Sequence, residues 1–203
     1  IQPMRSQQNP PLLEHERLSK CPRCNYFDED TTHVLCCLGR DASSIWNSNI
    51  TRLQTTLNDL ETQPDITDTI VTRLNQWRST QGSRNLPDIP CSPEIRTCIE
   101  QQDTIGWKNF LEGLPAKSWQ LTQAAYYDSI GSPRNSKRWI MSLLQLLHNM
   151  AWDMWDHRND IFHRQDKTLL HSHLAKLRLE IMYEYSIGTS SLPSHDHRHF
   201  HLP

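Results

Sequence analysis

The sequence has little glycine and no long apolar run. Only six of the 203 residues are glycine, which leaves little material for loops that cradle phosphates. No segment approaches the roughly 18 consecutive apolar residues of a membrane-spanning helix. No Ser/His/Asp arrangement and no His-Glu-x-x-His sequence is present. The sequence therefore predicts no membrane contact, no small-molecule substrate and no enzyme that acts alone.

Hydrophobic residues are also scarce, at 36% of the chain against about 45–50% in an average globular protein. The first twenty residues lack the apolar run of a signal peptide, so we expect an intracellular protein, nuclear or cytoplasmic. In that reducing environment the six cysteines are interpreted as metal ligands and core thiols. Because the sequence starts with Ile1 and not with Met, we expect a fragment of a longer reading frame.

What the sequence does contain is seven tryptophans and apolar residues at helical spacing. These features predict an all-α fold, in which a small zinc knuckle precedes a multi-helix bundle with one long central helix. The only expected exception is a short hairpin imposed by a cysteine pair. Helices are predicted from Pro64 to about Thr80, from Pro93, from Pro115 through Tyr126, from Asn135 to Arg164, and from Asp166 to about Gly188.

Four segments are expected. Residues 1–40 form an N-terminal segment with the knuckle, 41–130 an acidic helical region, 131–188 the long helix and its successor, and 189–203 a disordered His-rich tail. Residues 53–104 hold eight acidic residues and four arginines, whereas residues 131–178 hold eight basic residues and four aspartates. This asymmetry is typical of solvated helical faces that pack together, and it also allows a phosphate-contacting surface near the C-terminus.

The predicted long helix carries two apolar faces. One contains Trp139, Leu143, Leu147, Met150 and Met154 among others, and the second contains Trp152, Trp155, Asn159 and His163. We expect the tryptophans to lie in the core and Asn159 to satisfy a neighbouring backbone group. For Arg158 two interpretations stay open, an ion pair with an aspartate of the same helix or a phosphate contact.

The most specific pattern is C-x2-C-x8-H-x3-C, formed by Cys21, Cys24, His33 and Cys37. A C-x2-C turn places two sulfurs on one side, and the i, i+4 spacing places His33 and Cys37 on one helical face. Four protein ligands fill a tetrahedral zinc site, so the predicted cofactor is one structural zinc ion. Cys36 is an alternative to Cys37 as the fourth ligand.

The segment CPRCNYFDEDTTHVLCC (Cys21 to Cys37) resembles the zinc knuckle that follows the polymerase domain in reverse transcriptases of non-LTR retrotransposons. Two further blocks, IGWKNFLEGLPAKSWQLTQAAYY (Ile105 to Tyr127) and WDMWDHRNDIFH (Trp152 to His163), are similar to blocks after the knuckle in protist elements. The resemblance implies an RNA-directed DNA polymerase as the parent protein. Polymerase chemistry needs paired metal-binding carboxylates, which polymerases carry on strands of the palm. The acidic triplet Asp28-Glu29-Asp30 lies inside the zinc loop instead and does not provide them. We therefore expect a non-catalytic region on the C-terminal side of that polymerase.

The leading functional hypothesis is assistance in binding template RNA or target DNA, next to the upstream polymerase domain. The expected phosphate contacts are Lys20, Arg23, Arg134, Lys137, Arg138 and Arg158. The alternative is a zinc-stapled helical scaffold that binds protein, which the near-neutral net charge of −2 favours. A decayed gene copy without a selected function is a third possibility.

Overall fold

The computed structural model describes residues 20–187, with the backbone alone at 165–172, 184, 185 and 187. The predicted His-rich tail at 189–203 and most of the segment before the knuckle lie outside the described residues. Contacts divide the chain into two units, Ile1–Asn159 and Asp160–Pro203, and each is described by itself.

The all-α prediction is confirmed, since the described residues form seven helices and no β-strand. An antiparallel bridge between Lys20 and Phe27 takes the place of the expected hairpin. The helices are α1 (Thr31–Cys36), α2 (Arg40–Asp59), α3 (Pro64–Ser79), α4 (Pro93–Ile105), α5 (Trp107–Leu111), α6 (Lys117–Ser129) and α7 (Ser136–Ile187). Within residues 20–187, no helix combines the length and the apolar character that crossing a membrane requires.

Proline and capping signals predicted two helix starts correctly. Pro64 and Pro93 each occupy the first turn of a helix, and the Ser92 side chain accepts a hydrogen bond from the Ile95 N–H at 3.4 Å. The predicted restart at Asp166 is wrong, because α7 continues without a break to Ile187. Neither glycine nor proline occurs between Arg164 and Ile187, so the backbone has no reason to leave the helix there.

The core of the first unit depends on tryptophan, as the sequence predicts for most of these residues. Five indoles are at most 3% exposed, and they belong to Trp46, Trp77, Trp107, Trp119 and Trp139. The prediction is wrong for Trp152 and Trp155, which are 54% and 47% exposed on α7. Leu147 and Met154, which lie on another side of α7, are fully buried.

The turn at residues 60–63 between α2 and α3 receives bonds from two later helices. From α6, the Tyr127 hydroxyl donates to a turn carbonyl at 2.5 Å, while the Gln123 amide donates to a second one at 3.1 Å. From α7, the Trp139 indole N–H donates to the Thr62 hydroxyl at 2.8 Å. These bonds satisfy polar groups of the turn and connect it to α6 and to the start of α7.

Gln102 of α4 connects polar groups of the α4–α6 region through hydrogen bonds, and it is completely buried. Its Oε1 accepts from the Ala116 N–H at 2.7 Å and from the Trp119 indole at 3.3 Å. Its Nε2 donates to the carbonyls of Gly106 at 3.2 Å and Leu114 at 3.3 Å. One amide thus satisfies two donors and two partly buried acceptors.

Replacing Gln102 with leucine tests this role. Gln102→Leu leaves buried donors and acceptors unpaired, so we expect the free energy of unfolding to fall by about 3 kcal/mol. The neighbouring Gln101 is exposed, and Gln101→Leu is expected to change stability by less than about 0.5 kcal/mol. Urea unfolding followed by circular dichroism measures both variants, and equal effects would contradict the assignment.

Candidate metal centre

The first two candidate ligands lie on a tight backbone turn. The Asn25 N–H donates to the Cys21 carbonyl at 2.8 Å, and the Cys21 N–H donates to the Tyr26 carbonyl at 2.9 Å. Asn25 adopts φ of 61°, a left-handed conformation that asparagine tolerates better than most residues. The turn brings the sulfurs of Cys21 and Cys24 to the same side.

The other two candidate ligands come from α1 and its C-terminal end. Asp30 caps this short helix, because its carboxylate accepts the His33 N–H at 2.6 Å. The His33 ring stacks on Tyr26 with ring centroids 4.4 Å apart and planes 9° apart, which fixes the direction of the imidazole. Cys37 follows directly after the helix.

The four predicted ligands meet. One donor atom from each of Cys21, Cys24, His33 and Cys37 lies within 4.8 Å of the other three. The sulfurs of Cys21 and Cys37 are 3.9 Å apart, and the Cys24 sulfur lies 3.2 Å from His33 Nε2. Two sulfurs at 2.3 Å from a tetrahedral zinc ion would be about 3.8 Å apart. The group could therefore hold a metal ion with little rearrangement.

Cys36, the alternative fourth ligand, is not a member of this group. Its sulfur lies beside Gly82, and the residue is completely buried. Burial raises the pKa of the Cys36 thiol to about 12. The geometry thus favours Cys37 over Cys36.

The hydrogen bond between the thiols of Cys21 and Cys37 shifts their pKa values in opposite directions. The hydrogen bond to Cys37 raises the pKa of Cys21 well above its usual value, and burial and a bond to the Glu29 carboxylate add to the rise. The pKa of Cys37 is lowered, chiefly because its sulfur accepts the bond from Cys21. The N–H of Gly39, 3.4 Å from that sulfur, also lowers it. A metal ion at this position would displace the remaining thiol protons.

Two arginines hold the knuckle to the helices around it. Arg78 of α3 donates to the Cys37 carbonyl at 2.5 Å, and its guanidinium lies 5.1 Å from the centroid of the Trp46 ring. Arg23 donates to the carbonyl of Val34 at 2.5 Å and to that of Met154 on α7 at 3.1 Å. Arg23, a predicted phosphate contact, therefore has its two terminal nitrogens engaged inside the protein.

Arg158 makes a third such connection. Its Nε and Nη2 both lie 2.8 Å from Oε2 of Glu29, whose side chain is only 4% exposed. Glu29 lies in the metal loop, the segment from Cys21 to Cys37 that carries the four candidate ligands, and the sequence did not predict this partner. Asn159 accepts a bond from Arg158 at 3.2 Å. Sequence reasoning missed Glu29 because a pair separated by 129 residues leaves no local pattern.

The remaining predicted phosphate contacts lie at the surface. Lys20, Lys137 and Arg138 are exposed. Arg134 is 39% exposed and binds the Glu61 carboxylate at 3.2 Å. The structure thus does not bring the six basic residues together at one surface of the knuckle.

Gly39 is a further residue of the site that sequence reasoning missed. A Cβ at this position would lie 2.9 Å from the Arg23 carbonyl oxygen and 3.4 Å from the Cys37 sulfur. Only glycine lets the start of α2 approach the knuckle so closely. The sequence feature that could have indicated this role is the position of Gly39, two residues after the last candidate ligand.

Comparisons with known protein families, with curated proteins and with solved structures found no match to this chain. The fold and the site therefore define the class of protein, which is an all-α chain with a Cys3His group able to hold a metal ion.

Removing the Arg158 side chain tests its link to the metal loop. Arg158→Met leaves the buried Glu29 carboxylate without its charged partner, so we expect a loss of about 2 kcal/mol in unfolding free energy. The double variant Glu29→Gln/Arg158→Met is expected to regain at least half of that loss. Arg138→Met on the same helix is the exposed control, with a change below about 0.5 kcal/mol. Urea unfolding gives all values, and equal losses for Arg158→Met and Arg138→Met would contradict this role.

Proposed function

We propose that this chain is a non-catalytic, zinc-stapled helical module that presents a surface for binding other polypeptides. The observation that carries this is the convergence of Cys21, Cys24, His33 and Cys37 within 4.8 Å. Three thiolates and one imidazole suit Zn²⁺ better than hard cations such as Mg²⁺, which prefer oxygen. A site filled by four protein ligands has no open position for substrate, so its role is structural.

The zinc ion supplies order that burial alone cannot supply to the knuckle. Between Lys20 and Gly39 five residues are buried as a whole, namely Cys21, His33, Leu35, Cys36 and Cys37. Three of these five are proposed ligands, so few apolar contacts remain to fix the segment. Metal binding fixes it instead, because ligand binding to the folded state adds directly to stability.

We place the module in a reading frame of the non-LTR retrotransposon type, C-terminal to a reverse transcriptase domain. This part of the proposal rests on the resemblance carried by Cys21 to Cys37, Ile105 to Tyr127 and Trp152 to His163. The contacts of the acidic triplet support a non-catalytic role. Asp30 caps α1 and Glu29 pairs with Arg158, so both carboxylates hold the site together.

Nucleic-acid binding is the second candidate function, favoured by the basic residues around the start of α7. Lys137 and Arg138 are exposed in the first turn of this helix, where the helix dipole also attracts anions. Arg134 lies just before them, and Lys20 is exposed at the knuckle. Contacts of this kind to template RNA or target DNA would weaken steeply with salt. This candidate is the weaker one because Arg23 and Arg158, two of the predicted phosphate contacts, bind groups inside the protein.

The zinc content of variants of the adjacent residues Cys36 and Cys37 tests the proposed zinc site. We expect one zinc per chain in the wild type and in Cys36→Ala, but a large loss of zinc to a competing chelator in Cys37→Ser. The reason is that only Cys37 lies among the four donors. Elemental analysis after dialysis against the chelator measures the content, and circular dichroism is expected to show loss of helix when EDTA strips the wild type. Full zinc in Cys37→Ser, or unchanged helix after complete removal of zinc, would contradict the proposal.

A further inference from the structure

An open groove of about 490 Å³ lies between the metal loop and the first half of α7. Its apolar floor consists of Val34 and Leu35 from α1 with Ala151, Trp152 and Trp155 from α7. Polar residues complete the lining, namely Glu29, Asp30, Thr31, Glu112, His148, Arg158 and Asn159. One wall of the groove therefore belongs to the segment that carries the proposed zinc ligands.

The two exposed tryptophans form a paired aromatic surface in this groove. Trp152 and Trp155 are 54% and 47% exposed, and their rings lie 5.1 Å apart at an angle of 39°. The other five tryptophans are buried. Exposure is therefore specific to Trp152 and Trp155 and is not general for tryptophan in this chain. Adjacent exposed indoles are typical of binding surfaces, where their covering by a partner contributes strongly to affinity.

The charge of the groove favours a cationic occupant. Glu29, Asp30 and Glu112 line it, and the basic residues of the lining are Arg158 and His148, of which only Arg158 is a permanent cation. Because Arg158 pairs with Glu29, the carboxylates of Asp30 and Glu112 determine the charge of the rim. Glu112 is 44% exposed and forms a surface ion pair with Lys108 at 3.1 Å, so the groove with Lys108 counted keeps a net negative charge of one. Such a rim repels phosphodiesters and attracts Lys or Arg.

We infer that this groove binds a basic and apolar segment of another polypeptide. Aliphatic side chains of that segment cover Val34, Leu35 and Ala151, while a Lys or Arg side chain lies against the Trp152 and Trp155 rings. A cation over an indole face gains electrostatic attraction, and the carboxylate rim adds to it. The inference rests on the proposed zinc-stapled module, because loss of the staple would release the wall formed by residues 29–35.

The experiment uses the zinc-loaded chain labelled with 5-fluorotryptophan, whose seven ¹⁹F signals are assigned by single Trp→Phe variants. The probe is an acetylated and amidated nine-residue peptide of alternating Lys and Leu. We expect it to shift the signals of Trp152 and Trp155 and to leave those of the buried tryptophans in place. The same peptide with Glu in place of Lys is expected to bind at least ten times more weakly.

Matched variants separate the groove from general surface effects. Trp152→Ala and Trp155→Ala are each expected to weaken peptide binding at least tenfold, while Met141→Ala, a 63% exposed residue of α7 outside the groove, leaves it unchanged. Glu112→Gln is expected to weaken binding about threefold, and Glu100→Gln, an exposed residue of α4, to have no effect.

Three results would overturn the inference. They are the absence of a shift at Trp152 and Trp155, equal binding of the Lys and Glu peptides, and a shift at these residues by the oligonucleotide dT12 instead of the peptide. The last result would support the nucleic-acid candidate, especially if binding fell steeply with salt. Zinc content and helix content are measured on the same samples. A folded, zinc-loaded chain without peptide binding contradicts the groove alone, whereas a fully folded chain without zinc contradicts the staple.

Discussion

The interaction on which the other features of the site depend is the meeting of three thiols and one imidazole at the knuckle. These groups come from a tight turn and from a short helix that would have little stability alone. Their donor atoms nevertheless lie within 4.8 Å of one another. A metal ion bound there ties Cys21 and Cys24 to the end of α1. Such an ion would also hold in place residues 29–35, a segment that lines the groove together with Trp152 and Trp155.

Three arginine side chains attach the knuckle to the helical bundle. Arg78 binds the carbonyl of Cys37, Arg23 binds carbonyls on α1 and α7, and Arg158 binds Glu29. Each of them places a charged group where it satisfies buried or partly buried oxygen atoms. These contacts explain how a chain with 36% hydrophobic residues holds a polar loop against its core. They also explain why Arg23 and Arg158, which lie near the knuckle, contribute little to an open cationic surface.

The sequence predicted those parts of the fold and site that depend on local spacing. Pro64 and the Ser92-Pro93 pair mark helix starts, and the Cys and His spacing identifies the four residues that meet. It did not predict features that depend on distant contacts. The Arg158–Glu29 pair joins residues far apart in the chain, and the close approach of Gly39 to Arg23 depends on how α2 packs. Trp152 and Trp155 look like core residues in sequence because exposure of one helix face has no local signal.

The most direct test of the account is X-ray absorption at the zinc edge of the purified chain, which reports the atoms bound to the ion. The account predicts a single four-coordinate site with three sulfur atoms at about 2.3 Å and one nitrogen at about 2.0 Å. That ligand set corresponds to Cys21, Cys24, Cys37 and His33. A first shell dominated by oxygen, or one with four sulfur atoms and no nitrogen, would contradict it.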